Sequence, residues 1–387
     1  MKISDVIIDM HQGINTVADK VEYLDSGIPI IQSKNFTKGY LDLEDVRYLG
    51  EEDEKKYIEK YNPHVGDILM ANIGTIGKSY VISEEQRFLI AWNAFLIKPN
   101  AEKVKSDFLK FYFDYLASTH YFDGLLTGGT VKFINKKKIG DINIPDKSLA
   151  EQSEICNVLS QVEKVIIQRQ QEMELLDDLI KARFVEMFGS INNNVHGFDI
   201  RTLQDVCEQI KDGTHQTPTY TEDIEKGFKF LSSKDVTSGR IDWSKIKYIP
   251  ADLHEELYER IKPQKGDILL AKNGTTGVAA VVETDDVFDI YVSLALLRPI
   301  DMNSVYLWAA INSDETKHQF DGSIKGIGVP NLHLGEIKKT KIIVPPIELQ
   351  NEFEQFVKQV DKSKVAVQKA LDEAQLLFDS LMQKYFG

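Results

Sequence analysis

Cysteine is nearly missing from this chain: 387 residues contain two, Cys156 and Cys207, too few for a disulfide framework or a four-ligand zinc site. Long apolar runs are missing as well. The longest nearly unbroken one, residues 290–297 (IYVSLALL), falls far short of the ~20 residues of a membrane span. The N-terminal stretch MKISDVIIDMHQG alternates polar and apolar residues, which is not the pattern of a signal peptide. Excess positive charge is also lacking, since 46 Lys+Arg against 60 Asp+Glu leave a net charge of -14. A dedicated DNA-binding domain usually has an isoelectric point above about 9, so any nucleic-acid contact would need local basic patches or partners that supply positive charge. Eight histidines are scattered without metal-ligand spacing. What is present is ordinary for a globular protein, 42% hydrophobic and 27% charged, in a chain long enough for two or three domains. The expectation is a soluble, cytoplasmic protein.

An internal repeat sets the organisation. Shifted by 200 residues, Ser33-Lys34 falls on Ser233-Lys234, and Thr37, Gly39 and Asp42 fall on Thr237, Gly239 and Asp242. Gly66-Asp67-Ile68-Leu69, Ala71, Gly74-Thr75 and Gly77 meet Gly266-Asp267-Ile268-Leu269, Ala271, Gly274-Thr275 and Gly277, giving 16 identities over 50 ungapped positions. The register then slips by two, so that Phe122-Asp123-Gly124 meets Phe320-Asp321-Gly322. Both copies close on Phe-Gly, at 188–189 and 386–387.

Each copy has two parts. Residues 1–148 and 191–345 show short apolar runs such as Tyr80-Val81-Ile82, punctuated by Gly, Pro, Asn and Asp, which read as strands joined by turns. Segments 106–119 and 303–313 read as helices. Residues 149–190 and 346–387 read as long helices. Leu159, Val162, Ile166, Met173, Leu176 and Ile180 recur in steps of three and four, interrupted at Arg169. Phe353, Phe356, Val360, Val367, Ala370, Ala374, Leu377 and Leu381 do the same, interrupted at Ser363. The predicted fold is α+β: two strand-rich domains separated by two long antiparallel coiled-coil helices, related by a pseudo-two-fold repeat, with the polar stretch 190–198 as linker. The alternative is that each long segment is an amphipathic helix packed on its own domain. A helix over residues 155–189 would be roughly 52 Å long, about 15 base pairs of duplex at ~3.4 Å each.

In this duplicated order of motifs, the chain resembles the DNA-specificity subunit of type I restriction–modification systems. The resemblance rests on the strand-turn GDIL(M/L)A with its Gly-rich loop, and on a strand, Pro and then Gln before a long helix: Ile144-Pro145 to Gln152, and Val344-Pro345-Pro346 to Gln350. It rests also on Asp212-Gly-Thr-His-Gln-Thr-Pro218, which His11-Gln12-Gly13 echoes loosely. The resemblance implies two target-recognition domains, each reading one half of a split double-stranded DNA target. It implies helices that act as spacer and dock two modification (methyltransferase) subunits, with restriction subunits joining through them. S-adenosylmethionine, ATP and Mg²⁺ would then be bound by those partners and no cofactor by this chain.

If the two domains read different half-sites, residues identical in both serve the fold or contact phosphate, while divergent polar side chains read bases. Gly74-Thr75 and Gly274-Thr275 fit either close backbone approach to phosphate or a tight strand turn; Lys34 and Lys234 are phosphate contacts or solvated lysines. Divergent candidates are Asn72 and Lys78 against Lys272 and Asn273, and Lys38 and Tyr40 against Ser238 and Arg240. Later loops add Thr130 and Lys132, and Lys325 and Asn331; the 212–218 stretch adds His215 and Gln216. Lys136-Lys137-Lys138, and Lys338-Lys339 with Lys341, are phosphate rails or solvated surface.

Motifs of catalysis fail on inspection. Gly77-Lys78-Ser79 resembles the end of a P-loop, but the required glycine at position 72 is Asn. His254-Glu255 resembles the start of a zincin helix, but position 258 is Tyr. Val344-Pro345-Pro346-Ile347 lacks the Asn or Asp and the aromatic of an adenine-methyltransferase motif. Acid-x-Lys triplets such as Glu336-Ile337-Lys338 arise by chance at this charge content. The expectation is a non-enzymatic DNA reader. The alternatives are a coiled-coil scaffold that binds proteins through its globular ends, or a methyltransferase or nuclease in its own right.

Overall fold

The Gly-Asp pairs at 66–67 and 266–267 lead into fully buried strands, residues 68–71 and 268–271. Gly66 and Gly266 have φ of 90° and 91°, a region costly for any residue with a Cβ. The turn is closed by Asp67 N–H donating to the His64 carbonyl and Asp267 N–H to that of Gln264, both at 3.0 Å. The two carboxylates accept in return from the backbone N–H of His64 (3.0 Å) and Gln264 (2.8 Å).

The structure, a computed structural model, describes residues 1–37, 39–61, 63–129, 131–274, 276–323 and 331–387. It forms two units, Met1–Arg169 with Ala370–Gly387, and Gln170–Lys369. The first contains α1 (Ile3–Val6), β1 (Ile7–Gln12), β2 (Ile28–Ile31), β3 (Arg47–Leu49), α2 (Glu51–Tyr61), β4 (Ile68–Ala71), β5 (Ser79–Val81), β6 (Leu89–Ile90), β7 (Ala94–Pro99), α3 (Ser106–Ser118) and α4 (Lys136–Gly140). The long helix α5 (Leu149–Phe188) leads into the second unit. There follow β8 (Asp199–Thr202), α6 (Leu203–Val206), β9 (Cys207–Asp212), β10 (Phe228–Leu231), β11 (Lys247–Ile249), α7 (Ala251–Arg260), β12 (Ile268–Ala271), β13 (Ala279–Val281), β14 (Phe288–Ile290) and β15 (Leu294–Pro299). The chain ends with α8 (Ser304–Asn312), α9 (Asp314–Asp321), α10 (Leu334–Lys339), β16 (Lys341–Val344) and α11 (Ile347–Phe386).

Each unit carries the same antiparallel sheet, ordered β1-β7-β4-β5 in the first and β9-β15-β12-β13 in the second. A three-stranded sheet, β3-β2-β6 or β11-β10-β14, packs beside it, with β2–β6 and β10–β14 parallel. The central strands are apolar on both faces because both faces are covered. Ile68 and Met70 face the core built on α3, whereas Leu69 and Ala71 face the three-stranded sheet. Ile268 and Leu270, against Leu269 and Ala271, repeat the division. Each fully buried aliphatic side chain here contributes about 1.5–3 kcal/mol.

The glutamines before the long helices are buried staples. Gln152 accepts from Lys105 N–H (2.8 Å) and donates to the carbonyls of Lys103 and Lys147. Gln350 accepts from Asn303 N–H (2.9 Å) and donates to the Pro345 carbonyl. Each ties the N-terminal end of α3 or α8 to the helix that follows its domain, satisfying a backbone donor that a helix start leaves open.

The end of each long helix lies in the unit opposite to the domain it follows. Phe188 packs on Tyr306 (4.8 Å) and Phe353 (5.6 Å) in the second unit, and Phe386 packs on Phe108 (5.2 Å) in the first. Within the second unit the two helices run antiparallel: Asp177 pairs with Lys364, and Arg183 with Glu352 at 3.4 Å. Of the expected seam, Leu159, Ile166, Val360 and Val367 are buried, and Val162, Leu176 and Phe356 half-buried. Leu377 departs from it. It is 52% exposed, and the buried side of that turn is taken by Ala374, Phe378 and Met382. A strict seven-residue count drifts around a helix of 3.6 residues per turn, by about 20° per heptad. The stretch 190–198, expected as linker, is tethered: Ile191 and Asn192 N–H donate to the Glu315 carboxylate at 2.6 and 3.0 Å. It leads into β8, an unforeseen strand paired with β16.

Candidate nucleic-acid interface

The loops that leave β1 and β4, and their counterparts after β9 and β12, carry Asn72 and Lys78 in the first unit and His215, Gln216, Lys272 and Asn273 in the second, at one end of each sheet. Gly13 and Gly213 permit the first of these loops. A Cβ there would lie 2.3 Å from the Ala91 carbonyl oxygen or 2.1 Å from that of Ile290, so only glycine lets the chain pass. The weak His11-Gln12-Gly13 echo thus occupies the same structural place as Asp212-Gly213. Gly77 and Gly277 close the second loop, with φ of 88° and 82°; a Cβ at Gly77 would collide with Phe122 at 2.2 Å, and one at Gly277 would sit tightly against Phe320 at 3.1 Å. Gly74 and Gly274 take φ of 76° and 78° with open space around them. The two glycines of each loop therefore divide into a packing residue and an exposed one.

In the first unit, Thr75 and Lys78 are exposed beside a cleft of ≈ 300 Å³ that His120 and Asp123 also line. Asn72 is fully buried instead, its amide nitrogen and oxygen both without a hydrogen-bond partner among the described residues. Gln12 donates to the Trp92 carbonyl at 2.9 Å, leaving the indole 40% exposed. Lys132 is exposed. Lys34 pairs with Asp45 at 2.6 Å, and Lys136 with Asp9 at 3.1 Å, where His11 approaches the same carboxylate at 2.8 Å. Burial pushes the Asp9 carboxyl up, but Lys136 and the Met10 N–H outweigh it and hold it low; burial pushes the His11 imidazole down.

The second unit builds a charged cluster at the corresponding place. Lys272, equivalent to Asn72, is buried with Nζ 3.4 Å from Asp212. Arg260 and His215 approach the same carboxylate at 3.2 and 3.1 Å. Burial pushes the Asp212 carboxyl up, yet Lys272 and His215 outweigh it and hold it below the usual carboxylate range. Gln216 and Lys234 are exposed. Asn273 and Asn331 form an isolated β-bridge, each with a buried Oδ1 lacking a partner among the described residues. Ile73 and Phe133 make the same bridge in the first unit, so the two-residue slip of the repeat is structural.

Three expectations change. Lys272 is no exposed reader, since it is buried and paired with Asp212 at 3.4 Å, which offsets the cost of desolvating its ammonium. Asn72 is likewise interior. Arg240 is committed to Glu283 (3.2 Å) and to Asp361 on α11 (2.5 Å), over the Trp308 ring, and so joins its domain to the helix. Lys38, Thr130, Thr275 and Lys325 lie outside the described residues. Arg260 and Trp92 stand outside every motif read from the sequence, and Asp212 and Gln12 entered only as members of motifs, not as candidate site residues. Arg260 differs from Lys60, and Asp212 from Gln12, at a shift of 200, so divergence between the copies carried the signal. Among the described residues no group of three or more His, Cys, Asp or Glu is placed to hold a metal ion, and no helix is long and apolar enough to cross a membrane.

Comparison with known proteins agrees with this duplicated architecture. The family model "Type I restriction modification DNA specificity domain" matches residues 1–176 and again 196–374. The specificity subunit of the type I restriction enzyme MjaVIII from Methanocaldococcus jannaschii is 21% identical, with 92% of this chain and 88% of that protein covered. That of EcoKI from Escherichia coli K12 is 22% identical, over 99% and 86%. The type I S subunit of M. genitalium has the same fold, with a TM-score of 0.53 at 14% identity and coverage of 100% and 95%. The chain therefore belongs to the type I restriction–modification DNA specificity family and carries the family's recognition domain twice.

Proposed function

We propose that this chain is the non-catalytic, sequence-reading subunit of a type I restriction–modification complex acting in the cytoplasm. Each recognition domain, residues 1–148 or 191–345, reads one half of a bipartite double-stranded DNA target. The helices at 149–190 and 346–387 set the spacer and dock two modification subunits, which carry S-adenosylmethionine, with restriction subunits using ATP and Mg²⁺ joining through them. One observation carries the reading. Two copies of one scaffold keep the Gly-Asp turns at 66–67 and 266–267 and the loop glycines at 74, 77, 274 and 277, yet differ at the polar positions 12/212, at the ends of β1 and β9, and 60/260, in the last turns of α2 and α7, as two readers of different half-sites require. Thr75, Lys78, Lys132, His215 and Gln216 are the exposed members of the proposed DNA-facing set, with Lys34 and Lys234 as phosphate contacts. Exposed apolar residues on α5, Val158 and Val165 in the first unit and Leu175 and Leu179 in the second, support partner docking along this helix.

The test is an insertion of four helical residues into both long helices, followed by methylome sequencing. Four residues add about 6 Å, roughly two base pairs. The expected motif keeps both half-sites and lengthens its spacer; an unchanged spacer would refute the spacing role.

A further inference from the structure

Asp212 has more charged neighbours than its position at the end of an edge strand would require. Its Oδ1 takes Arg260 Nη2 at 3.2 Å, and its Oδ2 takes His215 Nε2 at 3.1 Å and Lys272 Nζ at 3.4 Å. Lys272 is 7% exposed at its side chain and cannot leave the interior, whereas Arg260 and His215 are 49% and 66% exposed. One cation thus fixes the carboxylate from inside, while a guanidinium and an imidazole are held by it at the surface. The Arg260 guanidinium is pinned a second time by Nη1 donating to the Gly213 carbonyl at 3.4 Å. Two of its five N–H donors are used this way, which leaves three on a planar group whose orientation these contacts set before any ligand arrives. A preset guanidinium fork matches the adjacent O6 and N7 acceptors of guanine. None of this exists in the first unit, where Gln12, Asn15, Lys60 and Asn72 stand at the four places and Lys60 lies over the Tyr61 ring.

We infer that Arg260 reads a guanine in the half-site of the second recognition domain, and that Asp212, clamped by buried Lys272, is the residue that positions it. The inference rests on the bipartite-reader function proposed above and names one of its readers.

The test replaces the chromosomal gene with Arg260→Lys, Asp212→Asn or both, and sequences the methylome of the host with its whole complex present. Arg260→Lys keeps an exposed charge and perturbs no core. It is expected to relax one G·C position of the second half-site, with preference for that pair falling about 10-fold or more and the first half-site unchanged. Asp212→Asn is expected to relax the same position, and the double variant no further. A purely structural role would lower methylation at all sites without altering the motif, and that result overturns the inference. So does an unaltered motif in Arg260→Lys, or relaxation in the other half-site. A wild-type methylome without any bipartite motif overturns the functional reading as well, so the two failures are told apart by the unmutated control.

Discussion

Replacing Lys110 by Met separates the two units by stability. Lys110, on α3, has Nζ 3.2 Å from the Asp114 carboxylate and in contact with that of Glu163 on α5, with side-chain exposures of 14%, 18% and 35%. Methionine keeps the volume and the apolar stem but removes the only charge contacting both acids among the described residues. Breaking a buried ion pair by deleting one partner costs about 3–5 kcal/mol. The lower end applies here, about 3 kcal/mol, because Glu163 retains partial solvation and Lys78 still lowers the Asp114 pKa. Hydrogen exchange on the intact chain reads this locally. At about 1.4 kcal/mol per tenfold, amides of peptides covering 106–118 should exchange roughly 100-fold faster, and those covering 304–312 at the wild-type rate. In the second unit the equivalent of Lys110 is Trp308, which donates to the carbonyls of Gly239 and Ala279 and needs no counter-charge. The pH dependence follows from Asp114, whose pKa is raised by burial against the pull of Lys110. A raised carboxyl binds its proton more tightly folded than unfolded, so its ionisation destabilises the fold as pH rises through the folded value. Without Lys110 that value climbs further. The penalty should therefore shrink on acidification, as Asp114 takes up a proton. A change below about threefold at neutral pH, or equal acceleration in both units, would refute the assignment of the ion pair.

Two further outcomes follow from the loops and staples. Gly213→Ala places a Cβ 2.1 Å from the Ile290 carbonyl oxygen, a backbone atom that cannot turn aside. The expected cost is 1–3 kcal/mol or more, seen as a lower midpoint for the second unit's fluorescence transition through Trp243 and Trp308. Gln350→Leu leaves the Asn303 N–H and the Pro345 carbonyl without their buried partner, at a cost of about 1–3 kcal/mol. Faster exchange at the start of α8, with β9 and β15 unaffected, would confirm it.

What the sequence determined by itself was whatever repeats or has a period. Gly66-Asp67 and Gly266-Asp267 announce a turn into a buried strand because only glycine accepts the required φ. The steps of three and four through Leu159, Val162 and Ile166 announce a helix because side chains must share one face. Comparison of the two copies at a shift of 200 also separated scaffold from candidate reader without any homologue. The strand β8 escaped notice because Asp-Ile-Arg-Thr is a short, mostly polar segment whose partner β16 lies 139 residues away at closest, and local pattern does not encode a distant register. Tertiary structure alone decided which divergent residues are free. Asn72, Lys272 and Arg240 had the chemistry of readers in the sequence, but burial withdrew the first two and Asp361 captured the third. Arg260 gained its place because Asp212, 48 residues earlier, holds its guanidinium fork. A side chain's type is written in the chain, whereas its solvation and its counter-charge depend on what folding brings beside it.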